Sequence, residues 1–151
     1  MEHLGVGDRK LPAGRLAVWF AVPGCGWYFR VMSVMVEKIS AITFRTANMK
    51  ASVQFYRDVL GMELLYGGEG AGFSSLRAKD VQSAILNLEL GHAVTGWGRM
   101  IFYVADVDAF RTYLKERGFD PGRPQDAPWG ERYFHMLDPD GHELSFARPL
   151  R

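Results

Sequence analysis

From Glu37 onward the chain alternates apolar and polar positions, then switches to helical spacing, and does so twice. Ile39 to Thr46 (ISAITFRT) predicts a strand with Ile42 and Phe44 on one face and Ala41, Thr43 and Arg45 on the other. Asn48 suits a helix N-cap, Met49, Val53, Tyr56 and Leu60 follow at helical spacing, and Gly61 stands where a glycine ends a helix. Glu63 to Tyr66, Gly72 to Arg77 and Ser83 to Leu90 then read as short strands, with Gly67-Gly68-Glu69-Gly70 making the first turn.

The same order recurs. Arg99 to Val104 predicts a strand with Arg99, Ile101 and Tyr103 facing opposite to Met100 and Phe102. Asp106 can cap a helix carrying Val107, Phe110 and Leu114 and ending at Gly118. An extended segment after Phe119, a strand from Arg132 to Met136, the turn Asp138-Pro139-Asp140-Gly141 and a strand from Glu143 to Ala147 complete the set. Superposing Ala41 on Arg99 aligns Asn48 with Asp106 and brings Gly61 within one residue of Gly118, a period of about 57 residues.

A βαβββ module buries only one face of its sheet, and the other face needs a partner. The expected fold class is therefore α+β, two βαβββ modules forming an open, cup-shaped mixed sheet with a pocket on its concave side. The cup-facing residues lie opposite the helix: Ala41, Thr43 and Arg45 on one first strand, Arg99, Ile101 and Tyr103 on the other.

The leader does not share this pattern. Residues 1–36 are expected to be an extension, dispensable or disordered, and residues 37–151 the domain, with modules at about 37–92 and 97–151. Within the leader, Leu16 to Val22 is apolar and is followed by Pro23-Gly24-Cys25-Gly26. Three readings stay open: an artefactual start upstream of Met32 or Met35, an arm over the domain, or an export signal with a poor cleavage site at Val22-Pro23-Gly24-Cys25.

Composition narrows the partners. With 151 residues, 48% hydrophobic and 23% charged, the chain fits one globular domain. A net charge of +1, with basic residues scattered among acids, leaves no footprint for nucleic acid or an anionic membrane, so a small-molecule partner is expected. No apolar run approaches the ~18 residues of a membrane helix. Cys25 is the only cysteine, which rules out an intrachain disulfide and fits a cytoplasmic location.

Four stretches in order carry a family resemblance. Ala47 to Met62 resembles the first helix of the vicinal oxygen chelate (glyoxalase/bleomycin-resistance/extradiol dioxygenase) superfamily, and Phe102 to Ala109 the start of its second module. Pro128-Trp129-Gly130-Glu131-Arg132-Tyr133-Phe134 and Asp138-Pro139-Asp140-Gly141 resemble its closing hairpin. The resemblance implies the paired-module fold and, from dimeric relatives whose modules complete each other's cups, a homodimer. It does not imply one reaction, because this fold hosts lyases, dioxygenases and sequestering proteins alike.

In metal-dependent relatives, His and Glu side chains from several strands hold a divalent ion in the cup. By resemblance the ligand positions here are Ala41, Arg99, Ser145, and either Asn87 or Glu89. Ala41 and Ser145 are poor ligands and Arg99 repels a cation, so neither metal nor other cofactor is expected. A displaced site of Glu89, Glu143 and one histidine, holding Zn, Ni, Mn or Fe, is the alternative.

The pocket candidates are thus Arg45, Asn87, Glu89, Arg99, Tyr103, Trp129, Glu143 and Ser145. Arg99 can grip an anion through paired N–H donors, or can simply pair with Glu89 or Glu143. Trp129 can wall the pocket for a planar guest, or fill the core. His142 is expected as a solvated turn residue, and His135 as a surface residue or a hydrogen-bonded pocket wall. Ser145 lacks an evident base for nucleophilic attack. The leading expectation is a metal-free, bleomycin-resistance-like protein binding a small molecule; a lyase or dioxygenase with an atypical metal site is the runner-up, and whether any reaction is catalysed stays open.

Overall fold

The computed structural model describes residues 15–22, 26–33, 36 and 38–150. The chain divides between Lys38 and Ile39. In the first unit, β1 (Arg15–Val22) and β2 (Gly26–Ser33) pair antiparallel, Arg15 opposite Ser33 and Val22 opposite Gly26. Residues 23–25 of the possible cleavage motif lie outside the described residues.

The second unit repeats one plan. Its first half runs β3 (Ala41–Thr46), α1 (Met49–Gln54), a π turn (Phe55–Val59), β4 (Glu63–Tyr66), β5 (Phe73–Arg77) and β6 (Ile85–Leu90). Its second runs β7 (Arg99–Tyr103), α2 (Val107–Glu116), β8 (Gln125–Asp126), β9 (Glu131–Leu137) and β10 (Glu143–Pro149). The sheets are ordered β3-β6-β5-β4 and β7-β10-β9-β8, so in each module the first strand pairs with the last. That pairing is parallel in both, Ala41 beside Ile85 and Arg99 beside Glu143, while the remaining pairs are antiparallel.

Local chemistry explains both helices. The Asn48 side chain accepts from the Ala51 amide at 3.0 Å, and Asp106 accepts from the Ala109 amide at 2.9 Å, each satisfying a donor that the first turn leaves without a partner. Gly61 and Gly118 follow with φ of 72° and 83°, the left-handed conformation that glycine adopts without a Cβ clash. The first helix does not stay α to its end: the Leu60 amide reaches back five residues to the Phe55 carbonyl, at 3.0 Å.

The modules share one core. Phe44, Leu76, Leu86 and Leu88 from one sheet join Phe134, Met136, Leu144 and Phe146 from the other, with Val53, Tyr56 and Leu114 of the helical segments. Every one of these sheet residues is at an even position, so strand alternation turns the odd positions outward. The two modules therefore meet through their helix-covered faces, and their concave faces look away from the core.

The Asp138–Gly141 turn bonds the modules together as well as reversing the chain. The Tyr56 hydroxyl donates to Asp138 Oδ2 at 2.7 Å. Asp140 accepts from the Ala47 amide at 2.9 Å and from the Ser52 hydroxyl at 2.7 Å. His142 departs from the solvated residue expected of it: it is 2% exposed and stacks on Phe44 at 4.3 Å between ring centroids. The Arg45 carbonyl can only accept, so His142 Nε2–H donates to it at 2.9 Å and Nδ1 accepts the Trp97 indole N–H at 3.5 Å. A turn histidine is buried here because the other module supplies both a ring face and an acceptor.

Candidate functional site

Since the strands of the two sheets do not pair with one another, the candidate residues divide between two concave faces. Arg45, Asn87 and Glu89 lie on the first module, Arg99, Tyr103, Trp129, Glu143 and Ser145 on the second. On the first face the candidates largely bond to one another or to neighbours on adjacent strands. Arg45 Nε stands 3.4 Å from Glu89, and Asn87 accepts from the Ser75 hydroxyl at 2.7 Å.

The second face holds a groove of about 380 Å³. Its floor is the central strand β10, which carries the small residues Ser145 and Ala147. Larger side chains rise on both flanks, Ile101 from β7 and Tyr133 and His135 from β9. Arg99 closes one end, and Trp129 with Glu131 the other. A small residue on the middle strand between bulky neighbours is enough to hollow out a sheet face.

At the Arg99 end three side chains form a chain of hydrogen bonds. Arg99 Nη1 lies 2.7 Å from His135 Nε2, and His135 Nδ1 lies 2.6 Å from Ser145 Oγ. Arg99 Nη1 also lies 3.4 Å from Nδ1, so the guanidinium sits against the face of the ring rather than along one lone pair, and the His135–Ser145 bond takes its direction from the ring's tautomer. Partial burial, aided by the neighbouring Arg99 charge and opposed by Glu143, lowers the His135 pKa and favours a neutral ring. Glu143 stands 3.6 Å from Arg99 Nε.

At the other end Glu131 accepts from the Tyr103 hydroxyl and, at 3.0 Å, from the Trp129 indole N–H. The Tyr103 bond first, then that of Trp129, holds the Glu131 carboxyl below the usual carboxylate range, and the same bond raises the Tyr103 pKa. Trp129 is 70% exposed and stacks on Tyr133 at 5.9 Å, so it is not core filling. Tyr133 in turn sits 4.9 Å from His135. The aromatic ledge thus runs unbroken from Trp129 to His135.

Comparison with known proteins now places the chain. Residues 38–146 match the family model described as Glyoxalase/Bleomycin resistance protein/Dioxygenase superfamily. The chain belongs to this superfamily. A curated relative, Metallothiol transferase FosB of Staphylococcus epidermidis, is 30% identical over 118 residues, covering 73% of this chain and 82% of the relative. FosB of Staphylococcus haemolyticus is 28% identical over the same length. Lactoylglutathione lyase from Agrobacterium tumefaciens shares the fold with a TM-score of 0.62 at 19% identity, over 75% of this chain and 94% of that one. TnmS3, an antibiotic binding protein from a Streptomyces species, does so with a TM-score of 0.59 at 22% identity, over 76% and 97%.

Members of the superfamily that use a divalent ion need a set of anionic or imidazole donors, and the residues present here do not fit one. Arg99 puts a fixed positive charge among the positions a metal would use, its guanidinium lies 2.7 Å from His135 Nε2, and Ser145 is a neutral hydroxyl. Glu89 and Glu143, the acids of the displaced alternative, lie in different sheets, and each stands beside an arginine.

Sequence reasoning passed over Glu131, Tyr133 and Ala147 as groove residues and left His135 undecided. The information was present in β9, where Glu131, Tyr133 and His135 alternate with Phe134 and Met136. Period-two alternation assigns them to the same face as Trp129's end of the groove.

Proposed function

We propose that this superfamily member is a metal-free, bleomycin-resistance-like protein that binds a small molecule in its concave groove. The observation that carries the reading is the Arg99–His135–Ser145 chain, which replaces a set of metal donors by hydrogen-bond donors beside an open aromatic ledge. The antibiotic-binding activity of TnmS3 illustrates that the fold supports binding of this kind.

The proposal includes a homodimer in a cytoplasmic setting. Ile101 and Tyr103 are 58% and 62% exposed on β7, and β3 and β7 each end their sheet among the described residues, leaving backbone groups ready for a second copy. Pairing β3 of one chain with β7 of another would set the two concave faces against each other. The Arg45–Glu89 face would then roof the groove. Light scattering of the purified chain is expected to give twice the chain mass, and a monomer at micromolar concentration rejects this part.

A second reading, a metal-dependent transferase, lyase or dioxygenase, draws on the identity to Metallothiol transferase FosB. Elemental analysis of the purified protein separates the two. Substoichiometric divalent metal, together with thermal stabilisation by compounds recovered unaltered, supports the binding protein; one tightly held metal per chain rejects it.

A further inference from the structure

We infer that the groove of the second module takes a planar aromatic monocarboxylate, with its anionic end on Arg99 and Ser145 and its ring along Tyr133 and Trp129. This assignment rests on the small-molecule-binding reading above and names the class of molecule bound.

The anionic pole follows from which donors remain free. Arg99 spends one Nη1 hydrogen on His135 and keeps its Nε near Glu143, which leaves Nη2 and the second Nη1 hydrogen without partners among the described residues. One hydrogen from each of Nη1 and Nη2 makes the end edge of the planar fork, the geometry that receives both oxygens of a carboxylate. Ser145 adds a third donor. Its hydroxyl lines the groove floor 2.6 Å from His135 Nδ1, and in the tautomer that protonates Nδ1 the hydroxyl hydrogen is left for the guest. His135 therefore orients both donors without touching the guest's charge.

The charge count of the guest follows from the two carboxylates at the ends. Glu143 lies 3.6 Å from Arg99, so a dianionic head would meet a second negative charge at the same point. Glu131 closes the opposite end and stays ionised through its bonds from Tyr103 and Trp129. A guest with anions at both ends would be repelled there. One carboxylate, at the Arg99 end only, matches the groove's polarity.

The flat body follows from the ledge. The Tyr133 ring lies 4.9 Å from that of His135, which in turn touches Arg99. Trp129 stacks against the far side of Tyr133 at 22° between planes. Ala147 leaves the space above the floor open between Tyr103 and Tyr133, which its pairing register sets on either side of it. A fused two-ring arene fits within about 380 Å³.

The test uses calorimetric titration of the full chain with naphthoate, naphthamide and a naphthalene dicarboxylate bearing acids at opposite ends. Naphthoate is expected to bind at least about tenfold more tightly than the uncharged amide, and the dicarboxylate more weakly than naphthoate. That ratio is read on the unaltered protein, so it does not depend on how a variant folds. Arg99→Gln should bring naphthoate down to the level of the amide, while Trp129→Ala should weaken naphthoate and naphthamide alike. Equal binding of acid and amide, full retention of affinity in Arg99→Gln, or no binding by any of the three overturns the inference. A neutral arene that binds with no preference for charge leaves the small-molecule reading standing while removing the anionic pole. A stoichiometric metal that binding requires removes both.

Discussion

Replacing Tyr56 by phenylalanine isolates one bond between the modules. Tyr56 is completely buried and Asp138 is 6% exposed, and the phenol donates to Asp138 Oδ2 at 2.7 Å. The other carboxylate oxygen already accepts from the backbone amides of Asp140 and His142, at 2.9 and 2.8 Å. Burial first, then the Asp138 charge, pushes the Tyr56 hydroxyl pKa well above its ordinary value, so it is a protonated donor at any physiological pH. Phenylalanine keeps the ring and its packing, so the change in stability reports the hydroxyl alone. A hydrogen bond to a charged group contributes about 1.5–3 kcal/mol, and the upper part of that range applies where the acceptor is left buried without a donor. Tyr56→Phe should therefore cost about 2–3 kcal/mol. In urea unfolding followed by circular dichroism, with a slope of about 1–3 kcal/mol per molar, the midpoint should fall by roughly 1 M. Adding Asp138→Asn should show a coupling of at least ~1 kcal/mol with Tyr56→Phe, as expected of partners in one bond. A loss below about 0.5 kcal/mol, or additive effects, would refute the role of this bond in joining the modules.

Further outcomes can be checked on the same chain. His135 has a lowered pKa, so the unfolded chain takes up a proton on this residue at higher pH than the folded one does; stability should fall as pH drops below about 6.5, and His135→Gln should flatten that part of a urea-midpoint profile. For Asp140, burial alone would raise the pKa, but bonds from Thr46, Ser52 and the Ala47 amide hold it below the ordinary value; its stabilising contribution is present at neutral pH and lost as pH falls through the folded pKa, and Asp140→Asn should remove that acid-side slope. Asn48→Ala removes the cap of α1 and should cost about 1 kcal/mol in thermal unfolding, with no change expected if the cap is dispensable. Arg99→His combined with Ser145→Glu would set two ligands beside His135 on neighbouring strands, and zinc titration should then show stoichiometric binding; failure to gain zinc would reject the shared face.

The repeat, the element order and the facing of each strand were legible in the chain, because each depends on local rules. Alternation placed Ala41, Thr43 and Arg45 opposite Ile42 and Phe44, and the caps Asn48 and Asp106 and the closing glycines Gly61 and Gly118 stand where helix termini demand them. The family strings added the pairing of modules, since their order and spacing specify one fold even where each is weak alone. The π turn at Phe55 was not legible, because a helix-period pattern does not distinguish an i+4 from an i+5 bond over one turn.

What required the tertiary structure was every contact between segments distant in sequence. His142 looks like a solvated turn residue until Phe44 and the Arg45 carbonyl arrive from another module. Ser145 looks isolated until antiparallel pairing sets His135 directly across from it, and Arg99 reaches that ring from a third segment. The division of the candidates between two outward faces also depends on how the modules pack. Periodicity reports which side of a strand a residue occupies; which side becomes core is decided only when two sheets compete to bury their apolar faces, and here they did so against each other.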